Sequence, residues 1–222
     1  MQIWRRIDNT VTVLCRGCFN PFTNPNMEKM RHQNIYSLYG LNGQRKYLNQ
    51  PERNRFYTTA CQSKQYKRLF FLMLFYTGAR ISEVLNIQTN HIEAEECVVI
   101  IESLKKRKKG VFRIIPIPQQ FVAELQSYTI TIESNFLWPF SRRTASRYVA
   151  IAMEDAKISG IQASAKGLRH SFAVSAIRSN VPLNLIKKWM GHSSISTTAI
   201  YLDVIGQEER AFAKKMWEGF GL

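Results

Sequence analysis

The 222-residue sequence has no long apolar run and no recognisable leader segment. Its longest apolar stretch, Leu69 to Tyr76, is eight residues long, whereas a membrane-spanning helix needs about 18 or more. Near the N-terminus, Val11 to Leu14 is too short for the apolar core of a signal peptide. These absences argue against a membrane protein, and we expect a cytoplasmic one.

Cysteine is also scarce, with four residues in the whole chain. Cys15 and Cys18 form a lone C-x-x-C pair, and no second pair follows at a spacing typical of zinc ligands. Cys61 and Cys97 stand alone, and reduced thiols fit a cytosolic setting. We therefore expect no metal site and no other cofactor.

Acidic residues are few in comparison with basic ones. The chain has 31 Lys and Arg against 16 Asp and Glu, a formal net charge of +15. Such an excess favours a polyanionic partner, through attraction and the release of counterions. Nucleic acid is the favoured partner, while a membrane surface or a merely basic protein remain as alternatives. The 45% of hydrophobic residues argues against a disordered chain.

The patterning predicts an irregular N-terminal arm over residues 1–40 and one organised domain over residues 41–222. The arm contains Pro21 and Pro25 with Asn20, Asn24 and Asn26 beside them, and it has no sustained helical or strand period. In the domain, the β-branched runs Cys97–Ile101 and Val111–Ile117 predict two strands of a hairpin with a basic tip. Helices are predicted over 63–76, from 82 onward, after Pro118, and over 141–156, 167–179, 183–190, 194–202 and 207–217. The predicted fold class is thus mainly α with a small antiparallel β-sheet.

Four segments carry the residue types that metal-free cleavage of a phosphodiester requires. Arginine neutralises the non-bridging oxygens because its planar fork binds phosphate bidentately and stays charged. A tyrosine supplies a nucleophile, and a lysine or histidine protonates the leaving oxygen. In chain order the segments are TGARISE with Arg80, the tip SLKKRKKG, KGLRH with Arg169, and MGHSSISTTAIY with His192 and Tyr201.

At these residues the chain resembles the tyrosine recombinase, or phage integrase, family. The family pattern is an Arg in T-G-x-R-x-S-E, a Lys in a β-hairpin, H-x-x-R, and then L-G-H-x-x-x-x-T-x-x-Y. The match extends over about residues 41 to 222. Each motif alone has a bland interpretation as surface charge or core packing, but four motifs in this order are specific. The resemblance implies the tyrosine recombinase catalytic-domain fold.

The resemblance also implies a role for each matching residue. Arg80 and Arg169 would hold the scissile phosphate and stabilise the charge of the transition state. Tyr201 would attack the phosphorus, leaving a 3′-phosphotyrosyl bond and a free 5′-hydroxyl. His192 would hydrogen-bond a phosphate oxygen. Lys105, directly after the apolar strand, would protonate the departing 5′ oxygen.

Other basic residues have open roles. Either Lys106 or Lys108 is an alternative to Lys105 as the general acid, and both are candidate DNA contacts. Lys166 stands where the family usually has His; it would bind phosphate as a cation, or act as a base if burial lowers its pKa. The base that activates Tyr201 therefore stays unassigned. Candidate contacts to the DNA backbone, or alternatively members of a solvated face, are Arg142, Arg143 and Arg147.

Two further residues are given structural roles. We expect Glu83 to support the loop of Arg80. His170 lies about 100° round the helix from Arg169, so we expect it to face the core or a neighbouring element and not to serve as the missing base.

The favoured function is a site-specific DNA recombinase of the integrase, invertase or resolvase type that works without metal. It would act on double-stranded DNA as a homo-tetramer on paired sites, for a mobile element, plasmid or invertible segment in a bacterium. One alternative is a type IB topoisomerase-like enzyme, because those enzymes also carry lysine at the position of Lys166. The other is a DNA-binding remnant, because residues 1–40 are too short for the helical domain that closes the family's clamp on DNA.

Overall fold

The computed structural model describes residues 38–40, 42–104, 110–202 and 217–218. The predicted arm apart from its last three residues lies outside this part of the chain. So do the hairpin tip, with Lys105, Lys106 and Lys108, and nearly all of the predicted C-terminal helix. Within the described ranges, no helix is long and apolar enough to cross a membrane.

Helices dominate the architecture, and the strands form one small sheet. In chain order the elements are α1 Gln50–Cys61, α2 Gln65–Thr77, α3 Ile81–Leu85, a 3-10 turn Thr89–His91, β1 Ile92–Glu93, β2 Val98–Glu102, β3 Phe112–Pro116, α4 Gln119–Thr129, α5 Arg142–Asp155, α6 Ala165–Arg178, α7 Leu183–Met190 and α8 Ser196–Ala199. The predicted fold class, mainly α with a small antiparallel sheet, is confirmed.

The sheet has the order β1-β2-β3, and both pairs of strands are antiparallel. Ile100 lies opposite Ile114 in the predicted hairpin, and Ile92 of the short β1 lies opposite Val99. Successive side chains of β3 alternate between exposed and buried, as the period of two requires. Arg113 therefore points to the same side as the buried Ile115, so this strand directs a charged side chain inward.

Two groups of buried side chains hold the domain together. The larger contains the aromatic side chains of α2 and the buried Trp138, whose ring meets Phe70 edge-on at a centroid distance of 5.7 Å. The smaller joins α6 and α7 to the segment that follows them, with Val174, Ile186 and Tyr201 among its members. Burial of such side chains is the main favourable contribution to folding, and here it fixes the position of the tyrosine that the motifs single out.

The ends of α2 and α6 determine where two motif residues stand. α2 begins after Lys64, which makes no side-chain cap, so the predicted cap at Ser63 is wrong. It ends as predicted at Gly78, which has a left-handed φ of 59°, a conformation that glycine adopts without strain. α6 begins at Ala165, two residues before the predicted start, and Ser164 Oγ accepts the Gly167 N–H there. Lys166 therefore lies in the first turn of α6.

Candidate active site

Arg169 stands at the centre of the site, buried between three segments of the chain. Its Nη1 donates to the Gly78 carbonyl at 2.7 Å, and its Nη2 donates to the Met190 carbonyl at 2.5 Å. Nη2 also lies 3.2 Å from His192 Nε2. Burial and the nearby Arg80 lower the pKa of Arg169 to about 10. The guanidinium therefore stays protonated near neutral pH, and its contacts join the end of α2 to the end of α7.

Arg80 lies two residues after the glycine that ends α2, at the N-terminus of α3. Its Nη1 is 2.8 Å from Glu83 Oε1, and its backbone N–H donates to Glu83 Oε2 at 3.0 Å. The side chain is 32% exposed, so the guanidinium is held by one partner and still accessible to a ligand. Glu83 thus supports Arg80, as the sequence predicted.

Arg113 is a buried cation of the site that sequence reasoning missed. Its Nη2 donates to Glu83 Oε2 at 2.7 Å, its Nε to the Trp189 carbonyl at 2.8 Å, and its Nη1 to Ser103 Oγ at 3.0 Å. Burial lowers the pKa of Arg113, although Glu83 opposes this effect. Arg113 connects the sheet to α7.

Glu83 is the single carboxylate between two arginines. Burial would raise the pKa of Glu83, but Arg113, the Arg80 backbone N–H and the Arg80 guanidinium outweigh burial and hold that pKa below its usual value. The side chain is fully buried, so the charged form depends on these partners. One carboxylate offsets only one of the two positive charges of Arg80 and Arg113. The cluster therefore keeps an excess of positive charge that can bind an anion.

His192 follows Gly191, which ends α7 with a φ of 64°. Burial, together with Arg169 and Arg80, lowers the pKa of His192 to about 3, so the ring is neutral. A guanidinium only donates, and Nε2 therefore accepts from Arg169. It follows that Nδ1 carries the proton and donates to Thr198 Oγ1, at 2.9 Å.

Tyr201 lies against the two histidines of the site. Its side chain is buried, and its ring is stacked on His192 with an interplanar angle of 8° and a centroid distance of 6.4 Å. Its hydroxyl lies 2.9 Å from His170 Nδ1. Burial raises the pKa of Tyr201 to about 12, while Arg169 and Arg80 act to lower it. The phenol is therefore within electrostatic reach of both arginines.

His170 faces a neighbouring element, as the sequence predicted, and that element carries Tyr201. Its angular offset from Arg169 is that of adjacent helical residues, but the segment after α8 brings Tyr201 to that side of α6. Burial, Lys166, Arg169 and Lys46 lower the pKa of His170 to about 4. The ring is neutral at physiological pH.

Of the remaining predicted residues, four are exposed on helices and three lie outside the described part of the chain. Lys166 is exposed in the first turn of α6, and its charge reaches His170. Arg142, Arg143 and Arg147 are exposed on α5, which packs against α3, the helix that Arg80 begins. The three hairpin lysines lie outside the described residues, so their predicted roles stay predictions.

The geometry joins residues that lie far apart in the sequence. Arg80, Arg169, His192 and Tyr201 come from three ends of helices and one helix interior, and they form one contiguous cluster with His170. A signal for Arg113 was available, because an arginine at an inward position of a buried strand needs a buried partner. A group of fixed donors and cations with a buried phenol is suited to bind a tetrahedral oxyanion and present a nucleophile to it.

Comparisons with known proteins agree with this geometry. The model of the phage integrase family matches residues 46–208. The tyrosine recombinase XerA of Pyrococcus furiosus is 33% identical over 145 residues, which cover 62% of this chain and 50% of the relative. A tyrosine recombinase of Thermosipho africanus is 31% identical over 151 residues, which cover 65% and 52%. The chain thus spans about half the length of these curated relatives.

Solved structures show the same fold. The crystal structure of XerA recombinase matches with a TM-score of 0.67 and 24% identity, over 77% of this chain and 64% of that one. The XerH recombinase in its pre-cleavage complex with the difH substrate matches with a TM-score of 0.62 and 21% identity, over 75% and 52%. The helices and small sheet described above are therefore the fold of these recombinases.

Proposed function

The chain belongs to the phage integrase family of tyrosine recombinases, and from that membership we propose that it breaks and rejoins double-stranded DNA through Tyr201. One observation carries the proposal. The phenol of Tyr201 is packed beside His192 and within electrostatic reach of Arg80 and Arg169. These four residues come from three separate motifs, and a shared phosphate ligand explains why they meet.

The proposed reaction uses the cluster as follows. Arg80 and Arg169 bind the non-bridging oxygens of the scissile phosphate and stabilise the charge that grows in the transition state. His192 donates to a phosphate oxygen once the phosphate replaces it as the partner of Arg169 and its ring proton moves to Nε2. Tyr201 Oη attacks the phosphorus and forms a 3′-phosphotyrosyl bond, while the 5′ oxygen leaves with a proton. Religation is the reverse attack by a 5′-hydroxyl.

Hairpin lysines complete the proposed reaction. We assign protonation of the 5′ oxygen to Lys105, with Lys106 and Lys108 as the alternatives. Lys166 acts as an exposed cation that attracts the DNA backbone. Single Ala variants of the three hairpin lysines identify the acid, because only its loss is rescued by a substrate whose bridging 5′ oxygen is replaced by sulfur, a better leaving group.

The proposed partner is double-stranded DNA, and the proposed assembly is a homo-tetramer on paired sites. Among the structural relatives, XerH is bound to its difH substrate and the Tn1549 integrase to circular intermediate DNA. The exposed Arg142, Arg143 and Arg147 give α5 a basic surface suited to the DNA backbone. Residues 41–222 are the proposed catalytic domain, and integration, excision, inversion or resolution are the outcomes that this chemistry serves.

A covalent adduct is the direct test. The chain is mixed with a pool of nicked duplexes of randomised sequence, in which cleavage next to the nick releases a short fragment and traps the intermediate. We expect a protein–DNA band on a denaturing gel that Tyr201→Phe abolishes. Tyr57→Phe, at an exposed position on α1, is the matched control and retains the band. An adduct that persists in Tyr201→Phe would place the nucleophile elsewhere.

The topoisomerase alternative rests on Lys166 alone. Relaxation of a supercoiled plasmid that lacks a paired site separates the two activities, because a recombinase needs two sites. We expect adducts without relaxation of such a plasmid. The relatives are named recombinases and come from both archaea and bacteria, so membership favours recombination and does not select a bacterial host.

A further inference from the structure

His170 Nδ1 is the one hydrogen-bond partner that the Tyr201 hydroxyl has among the described residues, at 2.9 Å. The other histidine of the site is otherwise engaged. His192 meets Tyr201 through its ring face, while its Nε2 accepts from Arg169 and its Nδ1 lies against Thr198. The hydroxyl of the nucleophile is therefore paired with His170 and not with His192.

The position that the family pattern gives to histidine does not compete for this proton. It is filled by Lys166, whose side chain is exposed in the first turn of α6. An ammonium group in water has three donors and no acceptor, so it cannot take a proton from a phenol. Tyr201 is left with His170, four residues further along the same helix.

The surroundings of His170 keep its ring neutral before DNA binds. The charged and titratable groups that act on it are Lys166 and Arg169 from its own helix, Lys46 from the segment before α1, His192 and Tyr201. Burial and the three cations lower the pKa of His170 to about 4. In the tautomer with its proton on Nε2, the ring accepts the Tyr201 hydroxyl at Nδ1.

Binding of a phosphate makes the ring a better base. An anion held by Arg80 and Arg169 offsets the positive charge that opposes protonation of His170. The phenol becomes more acidic as its oxygen bonds to phosphorus. Both changes move the proton from Oη toward Nδ1 at the moment of attack.

Resting on the proposed function, we propose that His170 is a catalytic residue that takes the proton of Tyr201 during strand cleavage and returns it during religation. In cleavage the Oη–H bond breaks as the Oη–P bond forms, and Nδ1 gains the proton. The bond from phosphorus to the 5′ oxygen breaks, and that oxygen takes a proton from the hairpin lysine. Religation restores both protons, so no other reactant is needed.

The test compares two substitutions of His170 in single-turnover cleavage of a nicked duplex recovered from the randomised pool. Asn places an amide near the position of Nδ1 and keeps a hydrogen bond to Tyr201 without basicity, whereas Ala removes both. A general base contributes about 10²- to 10⁴-fold. We expect His170→Asn and His170→Ala both to slow adduct formation by about 100-fold or more, with unchanged retention of the DNA.

Matched controls separate this role from a structural one. His91→Asn, at a histidine that caps the 3-10 turn through Nδ1, keeps the rate of the unmodified chain. Thermal unfolding confirms that the His170 variants fold. Cleavage by His170→Asn within a few-fold of the unmodified rate would overturn the proposal, since a neutral hydrogen bond would then suffice. Faster cleavage by His170→Ala would also overturn it, since His170 would then restrain Tyr201.

A sulfur-bridged substrate separates the base from the acid. Sulfur at the bridging 5′ position leaves without protonation, so it rescues loss of an acid and not loss of a base. We expect His170→Asn to stay slow on this substrate, and full rescue would overturn the assignment. If the unmodified chain forms no adduct, or Tyr201→Phe still forms one, the proposed function itself fails. A normal Tyr201 dependence with a fast His170→Asn variant rejects the role of His170 alone.

Discussion

Glu83 pairs with both the accessible Arg80 and the buried Arg113 of the site. It is fully buried between Arg80 and Arg113. Glu83→Gln would leave Arg113 as a buried charge without a counter-ion, and breaking a buried pair in this way costs about 3–5 kcal/mol. We expect a loss of that size in the free energy of unfolding, measured with urea at neutral pH.

The matched control for Glu83 is a surface pair of the same chemistry. Arg68 and Glu124 lie 2.7 Å apart with side chains 31% and 41% exposed. Glu124→Gln should therefore cost no more than about 1 kcal/mol. Equal losses in the two variants would mean that Glu83 adds nothing beyond an ordinary surface ion pair.

The lowered pKa of His170 predicts how the free energy of unfolding depends on pH. Its pKa is about 4 in the folded chain and about 6.5 when unfolded, so the unfolded state binds more protons between these values. The contribution of the neutral His170 to the free energy of unfolding is therefore fully present above pH 6.5, and it is lost as the pH drops toward 4. Allowing for partial exposure, we expect His170→Asn to reduce the loss between pH 7 and pH 5 by about 1 kcal/mol. Urea unfolding at both pH values measures it, and an unchanged loss would contradict the neutral, buried ring.

The residues that sequence identified and those it missed differ in a physical way. Arg80, Arg169, His192 and Tyr201 sit in local motifs that can be read without the fold. Pairings such as Arg113 with Glu83 or His170 with Tyr201 join positions 30 and 31 residues apart. Only the packing of the sheet on α3 and of α6 on the segment after α8 creates these contacts, so local patterns did not contain them.

At the scale of elements, sequence predicted segments with strong periods and missed the weak ones. The β-branched runs predicted all four ends of the hairpin strands to within one residue, and the strands are Val98–Glu102 and Phe112–Pro116. The polar helix α1 was missed, although Asn49 and Glu52 form a capping box at its start. β1 has only two residues, which is too short for an alternating pattern.

The turn between α2 and α3 holds Arg80 in place, and Gly78 makes that turn possible. A Cβ on Gly78 would lie 2.5 Å from the Phe172 ring, in addition to its left-handed φ. Gly43 has a similar φ of 70° with open space around it. We expect Gly43→Ala to cost about 1–2 kcal/mol for backbone strain, and Gly78→Ala to cost about 1–3 kcal/mol more because of the clash.

Thermal and urea unfolding of the two glycine variants provide the comparison. Adduct formation by Gly78→Ala should fall as well, because the Gly78 carbonyl accepts from Arg169 and the chain reaches Arg80 two residues later. Gly43→Ala should cleave normally. Equal stability of both variants would show that Phe172 moves aside without cost.

At the scale of the whole molecule, the charge of +15 dominates the encounter with DNA. Each phosphate that the protein neutralises releases counterions, so the logarithm of the binding constant falls with the logarithm of salt concentration, with a slope of about −0.9 per phosphate. We expect the triple variant Arg142→Ala, Arg143→Ala, Arg147→Ala to reduce this slope by about one for each arginine that contacts a phosphate. Titration of labelled duplex DNA at several salt concentrations measures it.

Net charge and direct contact are separated by a second triple variant with the same loss of charge. Arg55 donates to the Ala156 carbonyl and Arg68 pairs with Glu124, so both guanidinium groups already have partners within the protein. Replacing these two and the exposed Lys64 by Ala also removes three positive charges. If α5 contacts the DNA backbone, the slope falls in the first triple variant and changes little in the second. Equal changes in both would mean that the slope follows the total charge of the chain, and α5 would then lose its place in the DNA-binding surface.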